Sequence, residues 1–467
     1  MQNLITYFTE ELSPLRNIGI KDKKIDKEVE SQLSLAFVDA MLKKNFKIRE
    51  GGVIMAYNGR CYEMLKDKIF QNIIFQTLRK LEVGIVYITN SIKVIANNCL
   101  IGNVCNKFSL DKTYICFENV VLNIKTLEVL DHSPDILTDF IMPYDYDPKA
   151  KCEKFLDFLS FVLPNLKMQR VLQEFTGAFL VDRQALTIQI MCYLIGSGLN
   201  GKGVFMETIF HTLGGERNCG NFSMSSLTTE LHSEYYVAKI DGKIANFDMD
   251  ASKSDTSGGT YKKLVAGEPV DARFIRDEPF QAKHIPLFMA GVNEPPVTTD
   301  HTEGHSRRNL WIPFNVTIPA KDIDRRLGQK LLEEKSGIFN WIIQGKRFIE
   351  EQNGKFTEEE EITELARRIK IESNGILMFL DERKYVPESD LIGSWILLSD
   401  IYLDYVSYCD ENRNKNIFTK QKFGKFLTLQ GYKKKNMTRG IAYCVYKALE
   451  QMGDCIPMTD EDDNVPF

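Results

Sequence analysis

The sequence lacks several features that would place it in a specialised class of protein. No apolar run approaches the roughly 20 residues of a membrane-spanning helix, and the first residues show no basic segment followed by an apolar one. We therefore expect a soluble, unexported protein. Its ten cysteines contain no C-x-x-C pair, which argues against a zinc ribbon and, in a chain this long, against a disulfide framework. Reduced thiols and a cytoplasmic location are expected.

The chain also lacks an overall basic charge. Its 59 Lys and Arg residues face 64 Asp and Glu residues, and the formal net charge of −5 excludes a uniformly basic coat for nucleic acid. Histidine is scarce: the first of six is His132, and residues 1–105 show no cluster of metal-binding carboxylates. A primase or polymerase fused at this end is therefore not expected.

Changes in sequence character divide the 467 residues into five predicted regions. Helical spacing of apolar residues marks a lead-in. Strand-like runs that end in glycine-rich or acidic turns then indicate a parallel α/β domain. We predict an α+β domain of unknown role at 1–105, a helical lead-in or collar at 106–172 and the parallel α/β domain at 173–345. A charged linker with a small domain follows at 346–452, and an acidic tail at 453–467.

The sharpest local pattern fits G-x-x-x-x-G-K between a predicted strand and a predicted helix. Glycines let successive N–H groups and the helix N-terminus face a triphosphate, while Lys202 reaches its β- and γ-phosphates. The alternative is a glycine-rich turn that only caps a helix. Gly203 offers no hydroxyl to Mg²⁺, so the metal would rely on carboxylates from elsewhere. The candidate ATP-binding residues are Gly196, Ser197, Gly198, Leu199, Asn200, Gly201, Lys202, Gly203 and Val204.

Three later apolar stretches adjoin residues suited to ATP chemistry. The first ends in Asp248 and Asp250, of which one would orient Mg²⁺ and the other, preferably Asp250, would polarise the attacking water. The second ends in Asn293, whose amide can hold that water or the γ-phosphate. Arg307 and Arg308 precede the third, and one of them could reach the γ-phosphate of a neighbouring subunit. A surface ion pair is the alternative for these arginines.

The order of these motifs resembles that of superfamily III helicases, specifically the phage, plasmid and poxvirus type often called primase-helicases. The resemblance covers roughly residues 110 to 450. It is carried by Gly198-x-Asn200-Gly201-Lys202, Lys263-Leu264-Val265-Ala266-Gly267-Glu268, Asn293-x-x-Pro296, Arg307-Arg308, Ile312-Pro313-Phe314, Glu334-x-x-Gly337 and Tyr405-x-x-Tyr408-Cys409.

The resemblance implies an AAA+-like P-loop NTPase core, a C-terminal winged-helix domain and the shorter, helicase-only form. It also implies a homo-hexameric ring with ATP at subunit interfaces, single-stranded DNA in its pore and 3′ to 5′ translocation. A separate primase is a further expected partner, and the location is the host cytoplasm if a phage encodes the chain. The alternative is an ATP-binding initiator or scaffold of DNA replication that assembles on DNA without processive unwinding.

Basic residues in two places are candidates for DNA contact, with solvated surface charge as the alternative. Alternation and an Asp-Glu-Pro break over residues 270–283 predict a hairpin, which in the resembled family carries basic residues into the pore. Residues 413–447 hold ten basic residues and no acidic one, and their pattern fits a winged helix on duplex DNA. The candidates are Lys262, Lys263, Arg273, Arg276, Lys283, Lys422, Lys433, Lys434, Lys435 and Arg439.

The last six residues are Asp462-Asp463-Asn464-Val465-Pro466-Phe467. They look similar to the tail tip of bacterial single-stranded-DNA-binding proteins. A terminal carboxylate beside a Phe ring suits a basic-rimmed apolar pocket, so docking to host replication proteins is one interpretation. A disordered acidic tail is the other.

Overall fold

A computed structural model describes most of the chain. The described residues are 2–16, 27–49, 53–83, 88–102, 112–251, 258–275, 278–296, 298, 300, 302–387, 394–413 and 417–447. Contacts divide the chain into two compact units. The first comprises Met1–Ser254, Gly258–Pro296 and Arg308–Glu359, and the second comprises Asp255–Ser257, Val297–Arg307 and Glu360–Phe467. Within the described ranges, every helix is too short or too polar to cross a bilayer.

The first unit begins with four helices and a three-stranded antiparallel sheet. The helices are α1 (Gln2–Glu11), α2 (Lys27–Lys43), α3 (Asp67–Lys80) and α4 (Ile88–Gly102), and the strands are β1 (Lys47–Arg49), β2 (Val53–Tyr57) and β3 (Tyr62–Leu65). In their core the ring of Phe8 lies 5.3 Å from that of Phe37 and 5.8 Å from that of Phe46. The mixture of helices and strands agrees with the α+β pattern of the sequence.

A second small sheet joins this region to the lead-in helices. Its strands are β4 (Tyr114–Cys116), β5 (Val121–Asn123) and β6 (Val129–Leu130). The Tyr62 hydroxyl donates to the Pro134 carbonyl at 2.7 Å, which attaches β3 to the segment after β6. The lead-in is two helices, α5 (Glu153–Val162) and α6 (Leu166–Ala178), and Asn165 caps α6 by accepting from the N–H of Lys167. The region predicted as a helical lead-in, 106–172, therefore contains the strands β4, β5 and β6 as well as helices.

Two later helices of the same unit are α12 (Leu327–Leu332) and α13 (Lys335–Glu351). Helix α6 packs closely against α13. A Cβ atom at Gly177 would lie 2.0 Å from the Lys346 N atom, and one at Gly345 would lie 2.0 Å from the Gln173 carbonyl oxygen. This approach holds α13 in the first unit. The domain boundary predicted at residue 345 therefore falls inside α13, and the division by contacts falls at residue 360 instead.

Four parallel strands form the central sheet of the first unit, in the order β12-β7-β11-β8. They are β7 (Met191–Ile195), β8 (Ala245–Asp248), β11 (Leu287–Val292) and β12 (Asn309–Pro313). β11 is buried throughout, as expected of a central parallel strand. The surrounding helices are α7 (Lys202–Thr212), α8 (Met224–Thr228), α9 (Ser233–Ile240) and α10 (Gly259–Ala266). The predicted parallel α/β architecture is confirmed.

Register and ring contacts define the two faces of this sheet. Tyr193 lies opposite Ala290 and Trp311, and Ala290 lies opposite Asp248. The Phe247 ring lies 5.7 Å from that of Phe210 on α7, so Phe247 points to the α7 face. Because successive side chains of a strand alternate, Asp248 points to the other face.

A short antiparallel hairpin lies between α10 and β11. It consists of β9 (Val270–Ala272) and β10 (Phe280–Ala282), which pair Ala272 with Phe280. The hairpin predicted from alternation and the turn residues is confirmed.

The described residues of the second unit form five helices and a small antiparallel sheet. Its helices are α11 (Glu303–Ser306), α14 (Glu360–Glu372), α15 (Gly375–Glu382), α16 (Leu398–Glu411) and α17 (Lys420–Leu429), and its strands are β13 (Tyr385–Pro387), β14 (Ser394–Leu397), β15 (Lys434–Met437) and β16 (Gly440–Lys447). β16 pairs with β13, β14 and β15. The rings of Tyr405 and Phe423 stack at 4.8 Å and join α16 to α17.

Candidate functional site

The loop after β7 adopts backbone conformations that its glycines make accessible. Gly198 has φ 101° and Gly201 has φ 84°, values that L side chains rarely adopt. A Cβ atom at Gly196 would lie 2.4 Å from the Phe314 carbonyl oxygen, and one at Gly201 would lie 2.7 Å from Val162 Cγ1 of α5. At each of these three positions, either the backbone conformation or a neighbouring atom disfavours any residue larger than glycine.

Lys202, the first residue of α7, points back into this loop. Its Nζ atom donates to the Gly196 carbonyl at 2.6 Å and to Asn293 Oδ1 at 3.0 Å. The residue is only 9% exposed, and burial lowers the pKa of its ammonium group while the Asp250 carboxylate opposes that effect. An ammonium held by two neutral oxygens can exchange them for phosphate oxygens, which are stronger acceptors because they are charged.

Four other loop residues differ in their exposure and contacts. Asn200 is buried and donates to the Phe314 carbonyl at 3.1 Å, which ties the loop to the residue after β12. Ser197 and Leu199 are exposed. Gly203 is exposed too, and a Cβ atom there would meet nothing within 4 Å. Space for a hydroxyl-bearing residue therefore exists at position 203, although the sequence does not supply one.

The two carboxylates after β8 have different surroundings. Asp248 is 7% exposed and accepts the Met224 N–H at 3.0 Å. Burial raises its pKa, the Met224 bond lowers it and the Asp250 carboxylate raises it again. Asp250 is exposed and acts electrostatically on Lys202. The structure thus brings Lys202, Asn293 and Asp250 together at the carboxyl ends of three parallel strands, where ligands of α/β proteins commonly bind.

The two predicted arginines belong to different units. Arg307 is exposed and falls in the second unit, whereas Arg308 is partly buried and falls in the first. The Arg308 carbonyl accepts the Met191 N–H at 2.8 Å, at the start of β7.

Mg²⁺ is the metal predicted from the sequence for this site. Among the described residues, no three His, Cys, Asp or Glu side chains converge into an all-protein metal site. Mg²⁺ bound to a nucleotide usually takes one or two carboxylates and completes its shell with phosphate oxygens and water. Asp248 and Asp250 fit that donor set.

The first group of DNA-contact candidates lies on α10 and the hairpin. Lys263 and Lys283 are exposed, and Lys262 is half-buried. Arg273 is engaged within the chain, because its guanidinium donates to the Tyr235 hydroxyl at 2.7 Å and lies 3.5 Å from the Glu234 carboxylate. Arg276 lies outside the described residues.

The second group lies on α17 and the β15–β16 hairpin. Its members are exposed: Lys422, Lys433, Lys434, Lys435 and Arg439. The Lys435 ammonium also lies 5.8 Å from the centre of the Trp395 ring. The C-terminal segment Asp462-Asp463-Asn464-Val465-Pro466-Phe467 lies outside the described residues.

Sequence reasoning missed a set of polar groups around the sheet. Arg183 is buried and binds backbone carbonyls, and the hydroxyls of Tyr193 and Tyr261 lie 3.1 Å apart inside the unit. Tyr193 sits in an apolar run, where its hydroxyl gives no periodic signal. Its partner Tyr261 is 68 residues further along the chain, so no local pattern could have joined them.

Two family descriptions match parts of the chain. Residues 88–164 match the family described as D5 N terminal like, and residues 194–308 match a family of unknown function, DUF5906. The first match covers α4, the second sheet and α5, so the chain carries a D5 N-terminal-like region. The second covers the glycine loop, both carboxylates, Asn293 and both arginines.

The fold is also similar to solved structures. One is the apo structure of the NrS-1 C terminal region (305-718), with a TM-score of 0.50 and 11% identity over 89% of this chain and 99% of that chain. Another is the A form apo structure of the NrS-1 C terminal region-CTR, with a TM-score of 0.47, 11% identity, and coverage of 88% of this chain and 98% of that one. At this identity the first likeness concerns the fold alone.

Proposed function

We propose that the chain is an ATP-dependent DNA helicase of phage or mobile-element replication. The observation that carries the proposal is the position of the Lys202 ammonium, which joins the glycine loop after β7 to Asn293 after β11. Asp250 acts on the same ammonium from the end of β8. A cation, an amide and a carboxylate around a glycine loop are the groups that binding and hydrolysis of a nucleoside triphosphate need. The D5 N-terminal-like match and the fold likeness support a replication protein.

Each group has a role in this proposal. Lys202 leaves the Gly196 carbonyl and Asn293 Oδ1 when the β- and γ-phosphates arrive, and the N–H groups of the loop and of α7 bind the remaining phosphate oxygens. Asp248 would hold Mg²⁺, which supplies charge neutralisation at the phosphates. Asn293, released from Lys202, orients the attacking water, and Asp250 polarises it.

DNA contact is proposed at both basic regions. In the second unit, α16 and α17 are followed by the β15–β16 hairpin, the order of helices and wing in a winged helix. The exposed lysines of this region suit the phosphates of duplex DNA. In the first unit, Lys263 and Lys283 flank the β9–β10 hairpin and suit single-stranded DNA.

Assembly into a homo-hexameric ring belongs to the same proposal. Arg307 or Arg308 would then act on ATP bound to the neighbouring subunit, and a separate primase would supply primers. Negative-stain images with an ATP analogue and DNA test this directly. Closed rings are the expected result, and monomers under these conditions would reject the ring.

The open position at Gly203 favours one alternative function. Because no hydroxyl is available there for Mg²⁺, the ATP site could govern assembly on DNA without processive unwinding, as in an initiator or scaffold. Hydrolysis and strand displacement measured on one preparation separate the two functions. DNA-stimulated hydrolysis with displacement supports the helicase, and stimulated hydrolysis without displacement supports the alternative. Absence of ATP binding would reject both.

A further inference from the structure

Two buried tyrosines and a partly buried asparagine form a chain of hydrogen bonds that joins three elements of the first unit. The Tyr261 hydroxyl of α10 donates to Asn309 Oδ1 of β12 at 2.7 Å, and it lies 3.1 Å from the Tyr193 hydroxyl of β7. An amide oxygen only accepts, so the proton of Tyr261 goes to Asn309 and Tyr193 donates to Tyr261. Both tyrosines are at most 2% exposed, so their hydroxyls depend on partners within the protein.

Each tyrosine of this hydrogen-bond chain is affected by a charged residue of the candidate ATP site. Burial raises the pKa of Tyr193 most, and the neighbouring Tyr261 and the Asp248 carboxylate raise it further. Burial also raises the pKa of Tyr261, while the bond from Tyr193 and the charge of Arg308 lower it. The register agrees, because Asp248 and Tyr193 lie level with each other on either side of Ala290 in β11. Asp248 thus acts electrostatically on the Tyr193 hydroxyl, and Arg308 acts on the Tyr261 hydroxyl.

These hydrogen bonds attach helix α10 to the central sheet. It begins at Gly259, shortly after Asp250, and ends three residues before the β9–β10 hairpin. Tyr261 attaches its first turn to β7 and β12. Arg183 and Gln184 attach its end by donating to the Val265 and Gly267 carbonyls.

The same arginine also holds two strands of the sheet. Its guanidinium donates to the Ile188 carbonyl at 2.9 Å, before β7, and to the Pro286 carbonyl at 2.8 Å, before β11. Helix α10 is therefore bound at both ends to strands whose opposite ends carry Lys202 and Asn293. These bonds place α10 between the strands that lead to the candidate ATP site and the base of the β9–β10 hairpin.

We propose that Tyr261 is a positioning residue that couples the ATP site to the DNA hairpin through α10. The proposal rests on the proposed helicase function. Changes at Asp248 or Arg308 on binding and hydrolysis of ATP are passed to α10 by the two hydroxyls, and α10 passes them to the β9–β10 hairpin. The Tyr261 hydroxyl takes part in both hydrogen bonds, the one with Tyr193 and the one with Asn309, and the Tyr193 hydroxyl takes part only in the first of these two.

Three substitutions test this coupling by removing a single buried hydroxyl each. Tyr261→Phe breaks both links, and Tyr193→Phe leaves the bond between Tyr261 and Asn309. Tyr62→Phe is the matched control, because Tyr62 is fully buried and its hydroxyl donates to the Pro134 carbonyl at 2.7 Å. Tyr62 lies in β3, outside the central sheet. For each variant we would measure the melting temperature, the affinity for a fluorescent ADP, basal ATP hydrolysis, and hydrolysis with saturating single-stranded DNA.

The expected result is a graded loss of DNA stimulation. Tyr261→Phe should lower the ratio of stimulated to basal hydrolysis by about fivefold or more, Tyr193→Phe by less, and Tyr62→Phe not at all, with ADP affinity within about twofold throughout. Equal ratios for Tyr261→Phe and Tyr62→Phe would overturn the coupling while leaving the helicase proposal intact. If the unmodified protein hydrolyses no ATP, the proposed function fails and the coupling fails with it. If Tyr261→Phe does not fold, an unchanged ratio in Tyr193→Phe overturns the proposal.

Discussion

The loop around Lys202 and the basic surface of α17 with the β15–β16 hairpin use positive charge in opposite ways. Lys202 is 9% exposed and held by two fixed oxygen atoms, whereas Lys433 and Lys434 are exposed beside other cations. A buried, oriented cation recognises one anion in one geometry, because it has already lost its water. Exposed cations attract any polyanion and are screened by salt. We therefore expect the first region to bind a defined ligand and the second to bind a surface of phosphates.

The largest effect is expected from removing the buried cation. Lys202→Ala should lower kcat/KM for ATP by about 10²- to 10³-fold or more, since its ammonium would stabilise charge developing on the phosphates. Steady-state hydrolysis measures this. Lys243→Ala is the control, because Lys243 is half-buried and its ammonium donates to the Glu216 carbonyl at 2.9 Å in the same unit. An equal loss in both variants would mean that the effect reports stability alone.

A smaller, salt-dependent effect is expected on the basic surface. Replacing Lys433, Lys434 and Lys435 together by Ala should weaken duplex binding at all sequences. It should also reduce the slope of log K against log salt concentration by about 2 to 3, since each phosphate contact contributes about 0.9. Fluorescence anisotropy over a salt series measures both. The control replaces three exposed lysines of the first unit, Lys149, Lys151 and Lys167, and should leave the slope unchanged.

The two carboxylates allow a pH test within the first region. Burial raises the pKa of Asp248, so its ionised form is disfavoured in the folded state and costs stability above that pKa. Below the unfolded pKa of about 3.9 both states are protonated and the cost disappears. Asp248→Asn should therefore increase the free energy of unfolding at pH 7 and lose that gain near pH 3.5. Denaturant titrations at the two pH values check this, and a gain that persists at the lower pH would contradict it.

The smallest effect is expected at the open position of the loop. Gly203→Ser should fold normally, because a Cβ atom there meets nothing within 4 Å. If a hydroxyl assists Mg²⁺, the apparent Mg²⁺ affinity in ATP hydrolysis should rise by a few fold. Gly201→Ser is the contrast, since φ 84° and Val162 Cγ1 at 2.7 Å from its Cβ position oppose any side chain. Loss of folding in Gly203→Ser would show that the position is constrained after all.

Local patterns in the sequence were enough to predict the strands of the central sheet, the glycine loop and the β9–β10 hairpin. In each case the signal lies within about ten residues: an apolar run, a glycine that permits positive φ, or an alternation broken by a turn. β7 and β11 fall where those signals place them. The helical lead-in was predicted for the same reason.

Contacts between distant segments could not be predicted in this way. The bond from Lys202 to Asn293 spans 91 residues, and Asp248 is fixed by an N–H 24 residues earlier. The sequence predicts Arg273 as a candidate for DNA contact, yet its guanidinium contacts Glu234 and Tyr235 of α9. The boundary predicted at residue 345 followed a rise in charge, but the glycine contacts of α6 and α13 keep that segment in the first unit.

ATP-driven strand displacement tests the central claim most directly. The substrate is a short duplex with a single-stranded 3′ tail, and release of the labelled strand is followed with the unmodified protein and with Lys202→Ala. We predict that release of the labelled strand requires ATP and Mg²⁺. Release should be absent with a non-hydrolysable analogue and should be lost in Lys202→Ala. Stimulated ATP hydrolysis by the unmodified protein without any release of the strand would contradict it.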